Sequence, residues 1–286
     1  MKAFIIDMEF DWGFQARIIG LSKTAPSYDY PPPTTFLGAI AESLARKYWL
    51  SERTWSHFLK ALTSNLLALG VRPLNCTPLT FMDINRIISI RRAGKEWYPS
   101  AQYIYKSFDA PARGKTIFSP LEYDAPRLRW FIIFKSNNIK VKDKELILDT
   151  EDFWRIHRLG SKESRVTVVK VNEVSDKVET CMKCEARTNY SFPIINGIID
   201  PLDEFFGTWI YVTWVNPFRI AEMKVSMFKA YMERKAISAF KAPILETRFS
   251  RYSHLVKLSN WASLYYYEED EDYEAVVGRI EEEATL

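Results

Sequence analysis

The sequence predicts an α+β protein whose elements follow the order βαββαβ and are succeeded by a smaller β-rich part. Three observations support this class. Residues 2–10 alternate between apolar and polar side chains, as a half-buried strand does. Residues 36, 40 and 44 place apolar side chains at helical spacing, and residues 128–134 form an apolar run that is typical of a central strand. Together they predict a sheet that packs against helices.

The first helix is predicted directly after a rigid stretch of prolines. Pro31 to Pro33 hold the backbone extended and disfavour helix before them. Thr34 or Thr35 offers a hydroxyl as N-cap. The apolar stripe that follows predicts a helix over 35–49 that packs on the sheet.

A second helix, two strands and an insertion are predicted between residues 52 and 134. Apolar spacing predicts the helix over 52–69, with Gly70 as its C-cap. A strand is predicted over 79–90. An irregular thumb, rich in proline, tyrosine and basic residues, is predicted at about 91–127. The apolar strand over 128–134 follows.

A short helix and a β-branched strand complete the predicted order. Thr150 is expected to cap a helix over 151–158, Gly160 is expected to stop it, and 165–171 has strand composition. Strand, helix, strand, insertion, strand, helix and strand is the order of a ferredoxin-like fold. The first predicted domain is therefore residues 1–175.

The remainder divides into a β-rich part, 176–267, and an acidic tail, 268–286. Residues 209–214 resemble a strand. The stretch 268–283 contains nine acids and one base, a charge of −8, so the rest of the chain carries +11 within the total of +3. A basic body with an acidic tail is typical of a nucleic-acid partner, although charge runs often only solvate a surface.

Composition limits the classes of function. No apolar run is long enough for a membrane span and the start does not resemble a signal peptide, so a cytoplasmic protein is expected. Cys181 and Cys184 have knuckle spacing but lack a second ligand pair, so reduced thiols and no metal or other cofactor are expected. No nucleotide-binding P-loop, zinc-protease or serine-hydrolase motif occurs.

Two blocks of sequence resemble a known family. The first is a strand that ends in Asp11-Trp12-Gly13-Phe14 and is followed by Pro31-Pro32-Pro33-Thr34-Thr35-Phe36-Leu37-Gly38-Ala39. The second is Arg158-Leu159-Gly160-Ser161-Lys162-Glu163-Ser164, again followed by a strand. In this order they resemble the Cas-five family of CRISPR-associated proteins, with archaeal type I-A and type I-D members both similar.

The resemblance implies a subunit of the type I Cascade complex with an RNA-recognition-motif-like domain of the RAMP superfamily. It implies that the protein holds the five-prime handle of the crRNA, caps the complex and serves antiviral DNA interference. Further implied partners are target DNA near the guide–target duplex, the backbone subunit and the large subunit. The thumb would press between guide and target.

Cations interleaved with aromatic rings are the candidate RNA-binding residues, because cations neutralise phosphates and flat rings stack on unpaired bases. The segment that ends the short helix contains a glycine and hydroxyls flanked by cations, which together could bind a phosphate. The alternative interpretation is a helix C-cap, with the cations at the negative end of the helix dipole. The full set is Trp12, Phe14, Arg17, Lys23, Arg91, Arg92, Lys106, Arg113, Lys115, Arg155, His157, Arg158, Gly160, Ser161, Lys162, Ser164 and Arg165.

Alternative functions remain open from the sequence. Some relatives in type I-C systems cut precursor RNA without a metal, and His157 with Lys162 or Arg158 would supply a base and a cation. The preferred expectation is a protein without catalytic residues. A purely protein-binding scaffold would instead use the aromatic residues Trp209, Trp214 and Trp261. An unrelated ferredoxin-like protein would leave both block matches accidental.

Overall fold

Strands dominate the part of the chain that the structure describes, and its two longest helices lie in the first half. The computed structural model describes residues 1–16, 18, 26–50, 55–84, 87–88, 91–93, 96–98, 108–109, 112–220, 233–269 and 272–279. The helices are α1 (Pro33–Lys47), α2 (Trp55–Asn65), α3 (Thr150–Trp154) and α4 (Pro217–Ile220). The strands are β1 (Lys2–Phe10), β2 (Gly13–Phe14), β3 (Leu66–Pro73), β4 (Cys76–Ile84), β5 (Ile87–Ile88), β6 (Arg91–Ala93), β7 (Glu96–Tyr98), β8 (Phe108–Asp109), β9 (Ala112–Pro120), β10 (Arg127–Phe134), β11 (Asn138–Val141), β12 (Lys144–Ile147), β13 (Val166–Glu173), β14 (Glu179–Met182), β15 (Glu185–Thr188), β16 (Phe192–Ile194), β17 (Ile199–Phe206), β18 (Thr208–Val215), β19 (Ile237–Ile244), β20 (Ser253–Leu258), β21 (Ala262–Glu269) and β22 (Asp272–Arg279).

The largest sheet runs in the order β13-β1-β10-β3-β22-β21-β14. Its neighbouring strands are antiparallel, which confirms an α+β protein. One face packs on the helices: Phe36 of α1 stacks on Trp130 of β10 with ring centroids 4.4 Å apart. The predicted strand β1 and the predicted central strand β10 lie side by side.

The second helix is shorter than the sequence predicts. It ends at Asn65, and the next residues form β3 in the middle of the sheet. Gly70 is therefore not a C-cap. A Cβ at Gly70 would lie 2.7 Å from the Tyr190 Cβ, so the glycine permits close packing of the C-terminal part on the sheet.

The caps of two helices also differ from the prediction. Helix α1 begins at Pro33 with Pro32 as N-cap and no capping side chain, so neither Thr34 nor Thr35 caps it. Helix α3 is capped by Asp149, whose carboxylate accepts hydrogen bonds from the backbone of Glu151 and Asp152. A carboxylate one residue earlier thus replaces the expected hydroxyl of Thr150.

The predicted insertion begins earlier than residue 91. Strand β4 pairs along its whole length with β9, from Cys76 opposite Pro120 to Ile84 opposite Ala112. The predicted strand over 79–90 is therefore one arm of a hairpin that lies outside the main sheet. We call this β4–β9 unit the thumb hairpin.

The acidic tail predicted over 268–286 is wrong for its middle part. Residues 272–279 form β22, which pairs with β21 and contacts β3 inside the main sheet. Glu274 is 1% exposed, and Ala275 to Val277 are fully buried. A charge run that looks solvated in the sequence thus contributes a core strand.

The C-terminal part adds smaller antiparallel sheets, β16-β19-β18 and β15-β20-β17. Trp214 is fully buried there, so it cannot belong to the surface that the scaffold hypothesis requires, whereas Trp261 is exposed. Cys181 and Cys184 are joined as a disulfide, contrary to the expected reduced thiols. Cys76 is a buried free thiol.

Candidate functional site

The two sequence blocks meet at one groove. The start of α1 and the loop that follows α3 line a cavity of about 410 Å³. Its lining residues are Thr34, Thr35, Gly38, Ala39, Glu42, Arg158, Gly160, Ser161 and Lys162. We call it the α1 groove. Segments that are more than 110 residues apart in the sequence therefore form a common surface.

The loop over 158–165 is a tight turn held at its base. Arg158 and Arg165 form an antiparallel bridge, and the Leu159 amide donates to the Ser164 carbonyl at 2.9 Å. Gly160 has a φ of +105°, a left-handed conformation that favours glycine. A Cβ there would also lie 2.8 Å from the Gln15 carbonyl oxygen. Glycine at this position is required by both conformation and space.

Hydrogen bonds to Gln15 fix the loop on the segment after β2. The Ser161 amide donates to the Gln15 carbonyl at 3.1 Å, and the Gln15 amide donates to Ser164 Oγ at 2.9 Å. Ser164 is fully buried, which contradicts its predicted contact with RNA. Its hydroxyl positions the loop, whereas Ser161 is only half-buried and lines the groove.

The cations of this segment fall into paired and unpaired groups. Arg158 donates to both oxygens of Glu42, at 3.2 and 2.9 Å, and Arg46 donates to the same carboxylate at 2.7 Å. Arg155 is paired with Glu151 and Asp152 of α3. Lys162 and Arg165 are exposed and make no side-chain hydrogen bond or ion pair with any described residue.

The Glu42 carboxylate supplies the negative charge that pairs with Arg158 and Arg46 at the α1 groove. Burial raises the pKa of Glu42. The hydrogen bond and charge of Arg158, together with the charge of Arg46, lower it by more than burial raises it, so the net shift of the pKa is downward. Glu42 therefore stays ionised and neutralises part of the positive charge of the two arginines. The charge available to an anion in the groove comes mainly from Lys162 at its edge.

Three further predicted residues lie near this loop. His157 is exposed, with its ring Nδ1 3.4 Å from the Arg155 carbonyl oxygen. Trp12 is half-buried and its indole donates to the Glu163 carbonyl at 2.8 Å. Phe14 is fully buried and stacks on Phe118, which contradicts its predicted role as a platform for a base.

The other predicted cations are only partly covered by the structure. Arg17, Lys23 and Lys106 lie outside the described residues. Arg91 and Arg92 belong to β6 and Arg113 belongs to β9. Lys115 lies on the thumb hairpin opposite Phe81 and is half-buried.

Sequence reasoning missed Glu42 and Gln15. Glu42 lies one turn before Arg46 on the helix, which predicts their local pair but not the bridge to Arg158. Across the described part of the chain, no cluster of three or more metal-ligating side chains is present. None of the helices described is long and apolar enough to cross a membrane.

Comparisons with known proteins place this chain among CRISPR-associated proteins. A family model described as CRISPR-associated protein (Cas_Cas5) matches residues 10–192, a range that contains both blocks of the α1 groove. The solved structure described as "Crystal structure of a CRISPR protein from Archaeoglobus fulgidus" is 38% identical, with a TM-score of 0.69. The match covers 98% of this chain and 100% of that chain. No curated protein matches significantly.

Proposed function

Because this chain belongs to the family of CRISPR-associated Cas5 proteins, we propose that it is the Cascade subunit that binds the five-prime handle of crRNA. The observation that carries the proposal is the α1 groove. In it, the two blocks that identify the family converge on one cavity with an unpaired cation at its edge. The function served is antiviral DNA interference.

Lys162 and Arg165 are the proposed phosphate contacts. Both side chains are exposed and free of ion pairs among the described residues, so binding a phosphate breaks no existing pair. Thr34, Thr35 and Ser161 add hydroxyls to the groove, and the first turn of α1 adds the positive end of a helix dipole. Arg158 is held by Glu42 and helps shape the groove.

The thumb hairpin is the proposed contact with the guide–target duplex and the neighbouring backbone subunit. Leu79 and Ile117 face each other across β4 and β9, and both are exposed, as is Phe81 two residues along β4. An exposed apolar face of this kind marks an interaction surface. Other surfaces of the protein contact the large subunit in this proposal.

The ferredoxin-like interpretation belongs to the same proposal. The order β13-β1-β10-β3, with α1 and α2 between β1 and β3 in the chain, supports a RAMP domain over residues 1–175. An archaeal source fits the organism of the matching structure.

We propose a binding role without catalysis. His157 has its ring nitrogen near a backbone carbonyl, and no described carboxylate hydrogen-bonds to it. A metal-independent nuclease would need a base aimed at a 2′-hydroxyl and a cation for the developing charge. Cleavage is therefore measured alongside binding in the test below.

The test compares handle-containing repeat RNA binding by the full chain and by Lys162→Ala/Arg165→Ala. Anisotropy titrations across a salt series should show weaker binding and a slope of log affinity against log salt that is shallower by about 1.4, since each lost single-strand phosphate contact accounts for about 0.7. The matched control is Lys140→Ala/Lys144→Ala, which removes two exposed lysines from the β11–β12 hairpin.

Each outcome decides between functions. Weaker binding by the groove variant alone supports the proposal. Equal loss in both variants indicates nonspecific charge and refutes the groove as the site. Cleavage of the repeat at a discrete position by the wild type, abolished by His157→Ala, would replace the binding role with RNA processing.

A further inference from the structure

A larger cleft lies on elements that the α1 groove does not use. It has a volume of about 1,020 Å³ and is bounded by the end of β3, the end of β17, the start of β22 and the loop over 245–253. We call it the β22 cleft. Its volume is at the upper end of the range of about 300–1,000 Å³ for ligand sites, which is space for an extended chain.

The floor of the β22 cleft is charged but internally balanced. Glu274 accepts hydrogen bonds from Arg72, at 3.0 and 2.5 Å, and from Arg129 at 2.5 Å. Arg129 also donates twice to Asp7, at 2.6 and 2.8 Å. Two arginines and two carboxylates therefore form a neutral ladder, and Arg72 donates in addition to the Tyr252 hydroxyl at 3.1 Å.

The rim of the cleft is different, because its cations are open to solvent. Arg251 is exposed and makes no side-chain ion pair with a described residue. Arg248 is also exposed, and its nearest carboxylate, that of Glu122, is 3.9 Å away. These two arginines alternate with aromatic residues in the stretch 248–252, Arg-Phe-Ser-Arg-Tyr. The rim thus carries positive charge that the carboxylates of the floor do not neutralise.

Exposed aromatic rings accompany these cations. Phe206, which is 61% exposed, and Tyr273, at the start of β22, line the cleft. Phe249 is 84% exposed and lies outside the lining, next in the chain to the lining residue Arg248. The Arg248 guanidinium lies 5.6 Å from the centre of the Phe249 ring. Large rings left in water beside exposed arginines have a cost in free energy that burial against a flat ligand would remove.

We propose that the β22 cleft binds an unpaired nucleic-acid strand, with phosphates on Arg248 and Arg251 and bases against Phe249 and Phe206. Cations that follow a backbone and rings that stack on bases are the two parts of a single-strand site. A duplex keeps its bases stacked internally and leaves the rings without a partner. An acidic peptide would use the arginines but would not need flat rings.

The site is separate from the proposed handle site and goes beyond it. The loop over 245–253 approaches the base of the thumb hairpin, since Arg248 lies near Glu122 just after β9. Tyr30, before α1, donates a hydrogen bond to the Pro243 carbonyl at 2.9 Å in the strand that precedes the loop. The structural link fixes the start of α1 relative to the strand that leads into the cleft.

The experiment uses the full chain carrying Lys162→Ala/Arg165→Ala, so that the α1 groove contributes little. In this background, Arg248→Ala/Arg251→Ala, Phe249→Ala and the control Lys140→Ala/Lys144→Ala are titrated with oligo-uridine, oligo-thymidine and a duplex of equal length. The arginine variant should show a salt slope shallower by about 1.4. Phe249→Ala should weaken single-strand binding roughly 5- to 100-fold with an unchanged slope.

A second measurement does not depend on variants. Single strands that carry 5-iodouridine or 5-iododeoxyuridine are photocrosslinked to the wild type, and adducts are expected on Phe249, Phe206 or Tyr273. Preference for RNA assigns the strand to the guide, and preference for DNA assigns it to the target or its displaced partner. Unchanged affinity in both variants, a preference for duplex, or adducts only outside the cleft overturns the proposal. The handle test uses different residues, so either proposal can fail alone.

Discussion

Replacing Glu274 by glutamine tests whether the acidic stretch near the C-terminus is a core strand. Glu274 lies in β22 and is 1% exposed, and its carboxylate is the shared acceptor for Arg72 and Arg129. Glutamine keeps the shape but removes the charge. The two guanidinium groups, which are themselves mostly buried, then lose their common anion.

The magnitude follows from this geometry. Breaking a buried ion pair by removing one partner costs about 3–5 kcal/mol, because an uncompensated charge stays buried. For a chain of this size, about 2 °C of melting temperature corresponds to each kcal/mol, so Glu274→Gln should lower the melting temperature by roughly 6–10 °C. Glu268→Gln is the matched control. Its carboxylate is exposed on β21, and surface substitutions usually change stability by about 0.5 kcal/mol or less.

Acid titration gives an independent reading of the same group. Burial raises the pKa of Glu274, but the charges and hydrogen bonds of Arg72, with Arg129, outweigh burial and lower the pKa overall. A lowered folded-state pKa contributes stability that is present above the unfolded value of about 4.3 and is lost as pH falls through the folded value. The melting temperatures of wild type and Glu274→Gln should therefore begin to approach each other below about pH 4.3 and meet once the pH has fallen past the folded-state pKa. Equal, small losses for Glu274→Gln and Glu268→Gln at pH 7 would refute the core assignment and restore a solvated tail.

The remaining predictions concern the loop and the ring that the sequence assigned to RNA. Gly160→Ala should lower the free energy of unfolding by about 1–2 kcal/mol, because φ is positive there. It should also weaken handle binding, because the new Cβ would push against the Gln15 carbonyl. The control Gly197→Ala, where φ is +75° and nothing lies within 4 Å of the new Cβ, should leave binding intact in the same titration. Phe14→Ala should lower stability by about 3–5 kcal/mol in denaturant melts, since the ring fills the core, while the RNA affinity of the folded protein stays unchanged; a selective loss of affinity without loss of stability would mean that Phe14 stacks on a base.

The elements that the sequence predicted well are those with one clear period. Strand β1 alternates and helix α1 has a single apolar stripe, so their periods indicate the type of element. The alternation of β1 did not predict its burial, because residues 3–8 are all buried and both faces of the strand are covered. Strand β3 is buried on both faces, and its apolar run continues the helical spacing of α2. Local periodicity cannot distinguish a doubly buried strand from a helix end, so the boundary at Asn65 required the tertiary structure.

The same limit applies to charge, and it decides how the groove should be tested. A cation's availability depends on its partner, and the partner of Arg158 is Glu42, 116 residues away in the sequence. The resemblance predicted both Arg158 and Lys162 as RNA contacts because they belong to one motif. Of these two cations, only Lys162 has no ion pair among the described residues, since Arg158 already shares the Glu42 carboxylate with Arg46. A phosphate that binds Arg158 must compete with Glu42, whereas one that binds Lys162 displaces only water and counterions. The salt dependence of binding should therefore report Lys162 and Arg165 far more strongly than Arg158.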